Sequence, residues 1–154
     1  MPPAATTPAY HSKAWLLDGP IDSLPGVLRL ADNRLSYLVL ETGTFPAGKL
    51  RQLFTAQGRA TAGDDPAPPV ELFDLRLADL RAARFPWYYF GGGMKLDLGQ
   101  GAPLRLSFLQ PQNTRWPTAW NDDLRQWVGG DDGPEVAVAE GKAAGQRWRE
   151  LLAS

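Results

Sequence analysis

The residues whose type and spacing could support acid–base or metal chemistry are three adjacent carboxylate pairs: Asp64 with Asp65, Asp122 with Asp123, and Asp131 with Asp132. Such a pair supplies a general acid or base when one member is desolvated and its pKa rises. Asp64 and Asp65 belong to GRATAGDDPAPP, residues 58–69, where glycine and proline mark an exposed excursion and adjacent carboxylates need only water. Asp122 and Asp123 fall on an amphipathic helical stretch. Asp132 stands just ahead of Pro134, where a carboxylate caps a helix and favours its positive end. The single histidine, His11, lies in a leader rich in Pro and Thr, which argues against a histidine-based triad and against a site with several imidazole ligands. Without cysteine there are no disulfides, thiolate metal sites or thiol nucleophiles. Gly91, Gly92 and Gly93 do not make a phosphate loop, because a strand pattern follows them where such a loop needs a helix. The chain therefore reads as noncatalytic, with no cofactor and no metal. A small enzyme or ligand-binding β-barrel working through carboxylates is the alternative.

The stretch that suits binding is RFPWYYFGGGMKLDL, residues 84–98. Trp87, Tyr88, Tyr89 and Phe90 are consecutive, so any strand carrying them puts two large rings on each face, more than one buried face absorbs. The surplus suits an exposed contact surface. Arg84 and Lys95 flank it and, with Arg81, lend it positive charge, while Asp79 and Asp97 stand close enough in sequence to offset part of that charge. The candidate partner-binding residues are thus Arg84, Trp87, Tyr88, Tyr89, Phe90 and Lys95. The expected partner is a protein or an anionic membrane surface.

These residues are positioned by a run of short strands. Residues 27–41, VLRLADNRLSYLVLE, read as a hairpin: Leu28 and Leu30 flank Arg29, Asp32 and Asn33 supply the turn, and Leu35, Tyr37 and Val39 share a face. Phe73, Leu75 and Leu77 alternate with Asp74 and Arg76 in a further strand. Residues 81–90 should pair with 94–98 through a tight turn at the three glycines, whose freedom to take positive φ suits it. Residues 104–108 return after a longer loop, GQGAP. Ala14 to Leu17 reads either as a strand or as a helical turn, residues 18–26 as a loop, and 42–69 as loop-like with Leu50, Leu53 and Phe54 in a short strand. The connections are too short for crossover helices, which favours an antiparallel arrangement of about seven strands. Trp120, Leu124, Trp127 and Val128 then share one helical face. Ala144, Trp148, Leu151 and Leu152 share another, with Gly141 and Gly145 adjoining it. That last helix starts either at Pro134 or after one more strand at 135–138, the longer helix being preferred. The glycines imply either a close backbone approach or the later start.

At 154 residues the chain fits one domain, residues 14–154, behind a flexible leader at 1–13. A net charge of -1 with mixed signs does not make the basic footprint of a nucleic-acid binder. No apolar run approaches the ~20 residues that span a bilayer, and the start lacks the basic and apolar regions of a secretion signal. A soluble, cytoplasmic protein is expected.

The GVLRLADNRLSYL hairpin, the VELFDLRLADLRAARF passage and the closing helix with Trp148 resemble the pleckstrin-homology superfold, particularly its GRAM branch. In that family a glycine, an alternating strand, a turn and a second strand open the sheet, and Gly26 through Leu38 match this. Phe73 through Leu80 match its next step, with Leu77 and Leu80 at the apolar positions. The resemblance spans roughly residues 14–152 and rests on structural positions. It implies a mainly β (α+β) fold, an antiparallel β-barrel or sandwich of about seven strands with a C-terminal amphipathic helix and a second short helix, and a binding or adaptor role. Phosphoinositide-binding members carry basic residues around the first hairpin loop. Here that loop holds Asp18 and Asp22, with Lys13 and Arg29 nearby, so phosphoinositide binding of that kind is not expected.

Overall fold

The structure, a computed structural model, describes residues 9–18, 22–57, 70–86, 92–99, 103–109 and 134–152. Its elements run β1 (Tyr10–Asp18), β2 (Asp22–Ala31), β3 (Arg34–Val39), α1 (Ala47–Ala56), β4 (Val70–Arg76), a 3₁₀ turn (Leu77–Asp79), β5 (Ala82–Arg84), β6 (Gly93–Asp97), β7 (Leu104–Ser107) and α2 (Pro134–Leu152). The strands form one antiparallel sheet in the order β4-β3-β2-β1-β7-β6-β5. The expected mainly β chain with a C-terminal helix is therefore observed, in a sheet that is not closed.

The connection between β4 and β5 constrains the shape of that sheet. These strands are its two edges, so in a flat sheet six inter-strand gaps would hold them about 29 Å apart. From Arg76 to Ala82 the chain can reach at most about 22 Å. The sheet must curl, and its concave face gathers Leu16, Leu28, Leu35, Phe73, Met94, Leu96 and Leu106 into one core. Leu50 and Phe54 of α1 and Ala144 and Trp148 of α2 join that core from outside the sheet. Trp15, Val27 and Leu40 form a smaller cluster, with Leu17 and Leu38 against it.

The β2–β3 hairpin follows its sequence. Asp32 (φ 53°) and Asn33 (φ 60°) both take left-handed backbone, the requirement of a two-residue type I′ turn, and Leu30 pairs with Leu35 beyond it. Tyr37, paired with Leu28, sends its hydroxyl through the core to within 2.9 Å of both Ala14 O and Leu24 O. A Cβ on Gly26 would stand 2.5 Å from the Tyr37 ring and from Leu38 O, so a glycine is needed where this ring crosses the sheet. Gly141 plays the same part in α2: its missing side chain lets the helix backbone lie against Phe108 O and Leu109. Gly141 thus marks a close approach, and the helix runs from Pro134 through 135–138 without a strand.

Several expectations need correction. Tyr10 to Lys13, assigned to a flexible leader, are part of β1 and pair with β2. Ser23 to Gly26, read as loop, open β2. Pro25 is tolerated there because the β2–β3 ladder ends at Gly26 with Val39, so no amide is required of Pro25 on that side. Leu50, Leu53 and Phe54 lie on α1, because their spacing of three and four residues makes one helical face. The pairing expected between residues 81–90 and 94–98 is seen in part, and residues 87–91, with the first of the three glycines, lie outside the described residues. The β5–β6 ladder runs from Ala82 with Asp97 to Arg84 with Lys95, and Gly93 is already in β6. Trp120, Leu124, Trp127 and Val128 lie outside the described residues.

Candidate binding face

Arg84 and Lys95 are brought together. They are direct cross-strand partners on β5 and β6, and Lys95 is in turn the partner of Arg105 on β7. Side chains alternate along each strand, so Ala82, Arg84, Lys95, Asp97, Pro103 and Arg105 point away from the core while Ala83, Met94, Leu96, Leu104 and Leu106 point into it. The six outward residues line a recess of about 250 Å³. Arg105 was not singled out in the sequence. Its place between Leu104 and Leu106, matching that of Lys95 between Met94 and Leu96, is the signal that identifies its face.

Like charges set directly opposite one another destabilise a sheet, so three consecutive cations are a local electrostatic cost. Asp97 is the carboxylate on the same face. Asp97 Oδ1 accepts a 3.0 Å hydrogen bond from Gly99 N–H, and Asp97 Oδ2 lies 3.9 Å from Arg81 Nε. This carboxylate anchors the start of the β6–β7 loop and draws in Arg81. Trp87, Tyr88, Tyr89 and Phe90, which follow β5 in the chain, lie outside the described residues.

The β1–β2 end is different in character. Lys49 of α1 donates to Asp22 and lies 3.2 Å from Asp18, with its ammonium 5.4 Å from the centre of the Phe45 ring. The hydrogen bond with Asp22 is the main reason the Lys49 pKa is raised. Ser23 N–H donates to Thr44 Oγ1 at 2.9 Å, and Thr44 N–H donates to Ser23 O at 3.1 Å, tying the segment before α1 to the start of β2. Asp18 and Asp22, cross-strand partners at the end of the β1–β2 ladder, thus share one lysine.

His11 sits half-buried opposite Arg29 on β2, and its pKa is lowered by burial first and by that guanidinium second. All three carboxylate pairs lie outside the described residues. Among the described residues no group of three or more His, Asp or Glu is placed to hold a metal, and no helix is long and apolar enough to cross a membrane. Compared with known protein families, with curated proteins and with solved structures, the chain matches none.

Proposed function

We propose that the chain is a noncatalytic binding domain of PH- and GRAM-like architecture. Its contact surface is the outer face of β5, β6 and β7, together with the aromatic connection that leaves β5 after Arg84. The observation that carries this reading is the row Arg84, Lys95, Arg105, three cations on adjacent strands beside a recess. Positive side chains gathered on one face steer and orient an anionic partner. The architectural part is supported by the meandering strand order with its break between β4 and β5, and by a C-terminal helix that buries Trp148 in the core.

Amide NMR spectra during titration with polyglutamate test this reading. Shifts should centre on Arg84, Lys95 and Arg105 and should vanish in an Arg84→Glu, Lys95→Glu double variant. A titration that leaves these amides unmoved at low salt would exclude the face as a binding surface. An anionic membrane is the second reading, favoured by the adjoining tryptophan and tyrosines, residues that suit a bilayer interface. Phosphatidylserine vesicles in place of polyglutamate test it.

A further inference from the structure

We infer that Arg34 seals the open edge of β4, so that the sheet does not extend into the sheet of a second copy of the chain. β4 is one of the two edges of the sheet and, at 7 residues, is longer than β5, the 3-residue edge opposite. Long open edges are templates for pairing with another strand, and proteins block them with charges, bulges or covering groups. The binding face described above lies toward the other edge and has no part in this.

The register shows which backbone groups are open. The two-residue turn at Asp32 and Asn33 makes Ala31 and Arg34 a hydrogen-bonded pair, so the Arg34 N–H and C=O point toward β2. On its other side Arg34 is then a non-hydrogen-bonded partner of Arg76, as Ser36 is of Asp74, and Leu77 N–H donates to Asn33 O at 2.7 Å. The Asp74 and Arg76 amides therefore point away from β3, off the edge of the sheet. A second β4, running antiparallel about a two-fold axis at Leu75, would set Asp74 of each copy opposite Arg76 of the other. Opposite charges then face each other on the outer side, and each Arg76 N–H is aimed at an Asp74 carbonyl. The edge is self-complementary.

Arg34 takes the acceptor on which that pairing depends. Its side chain reaches across from β3, with Nε donating to Asp74 Oδ1 at 3.0 Å and Nη2 donating to the Asp74 carbonyl at 3.4 Å. One guanidinium thus holds both the carboxylate and the carbonyl that a second copy would use. Further along, the β-bulge between Tyr37 and Leu38 breaks the regularity of the β3–β4 ladder. Asp79 engages the remaining charge, with its Oδ2 3.1 Å from Arg76 Nε.

Sedimentation velocity against concentration, with amide hydrogen exchange, tests this. The native chain should remain monomeric, and its Asp74 and Arg76 amides should exchange quickly with solvent. Arg34→Ala, folded by circular dichroism, should self-associate at least about tenfold more tightly, with these two amides protected. Arg34→Lys keeps the charge and the stem but lacks the fork that spans carboxylate and carbonyl, so it should fall between. Arg29→Ala removes one charge from β2, a strand not bonded to β4, and should stay monomeric. Arg76→Pro removes the donor that pairing needs at a residue whose φ of -68° suits proline. Added to Arg34→Ala, it should restore the monomer.

Arg34→Ala and Arg34→Lys that both stay monomeric at every concentration would overturn the proposal, since the edge would then be closed without the guanidinium. A native chain that already dimerises, with slow Asp74 and Arg76 amides, would overturn it by making the edge an interface. Association of Arg34→Ala that survives Arg76→Pro would overturn it by placing the contact elsewhere.

Discussion

Trp148 Nε1 donates a 2.8 Å hydrogen bond to Ser12 Oγ, joining the last helix to the first strand with both residues buried. Tyr10 meets the same indole edge-on, with ring centroids 5.1 Å apart. Ser12→Ala leaves a buried N–H without its acceptor and should cost about 1–3 kcal/mol. Trp148→Phe removes the donor and part of the ring, and the double variant should be less unstable than the two single effects added. Urea denaturation of the four proteins checks this, and strict additivity would show that the bond contributes nothing.

Tyr37 makes stability sensitive to alkali. Burial pushes its phenol well above the ordinary value of 10.0. Above pH about 10 the unfolded chain releases this proton while the folded one keeps it, so folding stability is complete below that pH and falls as pH rises. The slope should approach about 1.4 kcal/mol per pH unit from this group. Tyr37→Phe should abolish that slope. At neutral pH it should itself cost about 1–3 kcal/mol, because Ala14 O and Leu24 O lose their shared donor. Equal alkaline slopes in the two proteins would contradict the buried hydroxyl.

His11 should titrate below its ordinary value of 6.5, and Arg29→Gln should raise its pKa partway back. The sign follows from the depressed folded pKa: the small contribution of this group is present above pH 6.5 and is lost as pH falls through the folded value. Imidazole proton shifts against pH give both numbers. A pKa unmoved by Arg29→Gln would leave burial as the only cause.

Lys49→Met should lower the melting temperature, because Asp18 and Asp22 then face each other without their shared cation. The loss should be larger at low salt than at high salt. A loss that ignores salt would assign it to the ammonium over the Phe45 ring instead.

Arg84→Gln and Lys95→Gln should each leave the melting temperature unchanged or raise it, because each removes a like-charge neighbour from the row. Loss of binding without loss of stability would mark these as residues kept for a partner. A clear drop in melting temperature would mark them as structural.

The parts of the fold legible in sequence were those whose pattern is local. Asp32 and Asn33 specify a turn that only short polar residues or glycine accept readily, and the flanking alternation fixes which side of each strand is buried. Trp148 lies on a helical face whose spacing is clear without knowing what covers it. By contrast, Leu50, Leu53 and Phe54 give too short a pattern to separate helix from strand, and Pro46 and Gly48 beside them suggest loop. Pro25 looked like a breaker because its tolerance depends on where the neighbouring ladder stops. The candidate site divides in the same way. The outward face of Lys95 was readable from alternation, but its pairing with Arg84 and Arg105 depends on register across two connections, which no single strand encodes.

The strand order also sets the sequence of events in folding. β1 bonds on one side to β2, its neighbour in the chain, and on the other to β7, where Leu16 meets Leu106. During synthesis the second edge of β1 stays bare until β7 has emerged, and Ser12 waits longer still for Trp148. β1, the earliest of the described strands, is thus among the last completed. Closure over so long a loop slows folding and exposes an apolar edge meanwhile, so this topology bears more on folding speed and chaperone demand than on final stability.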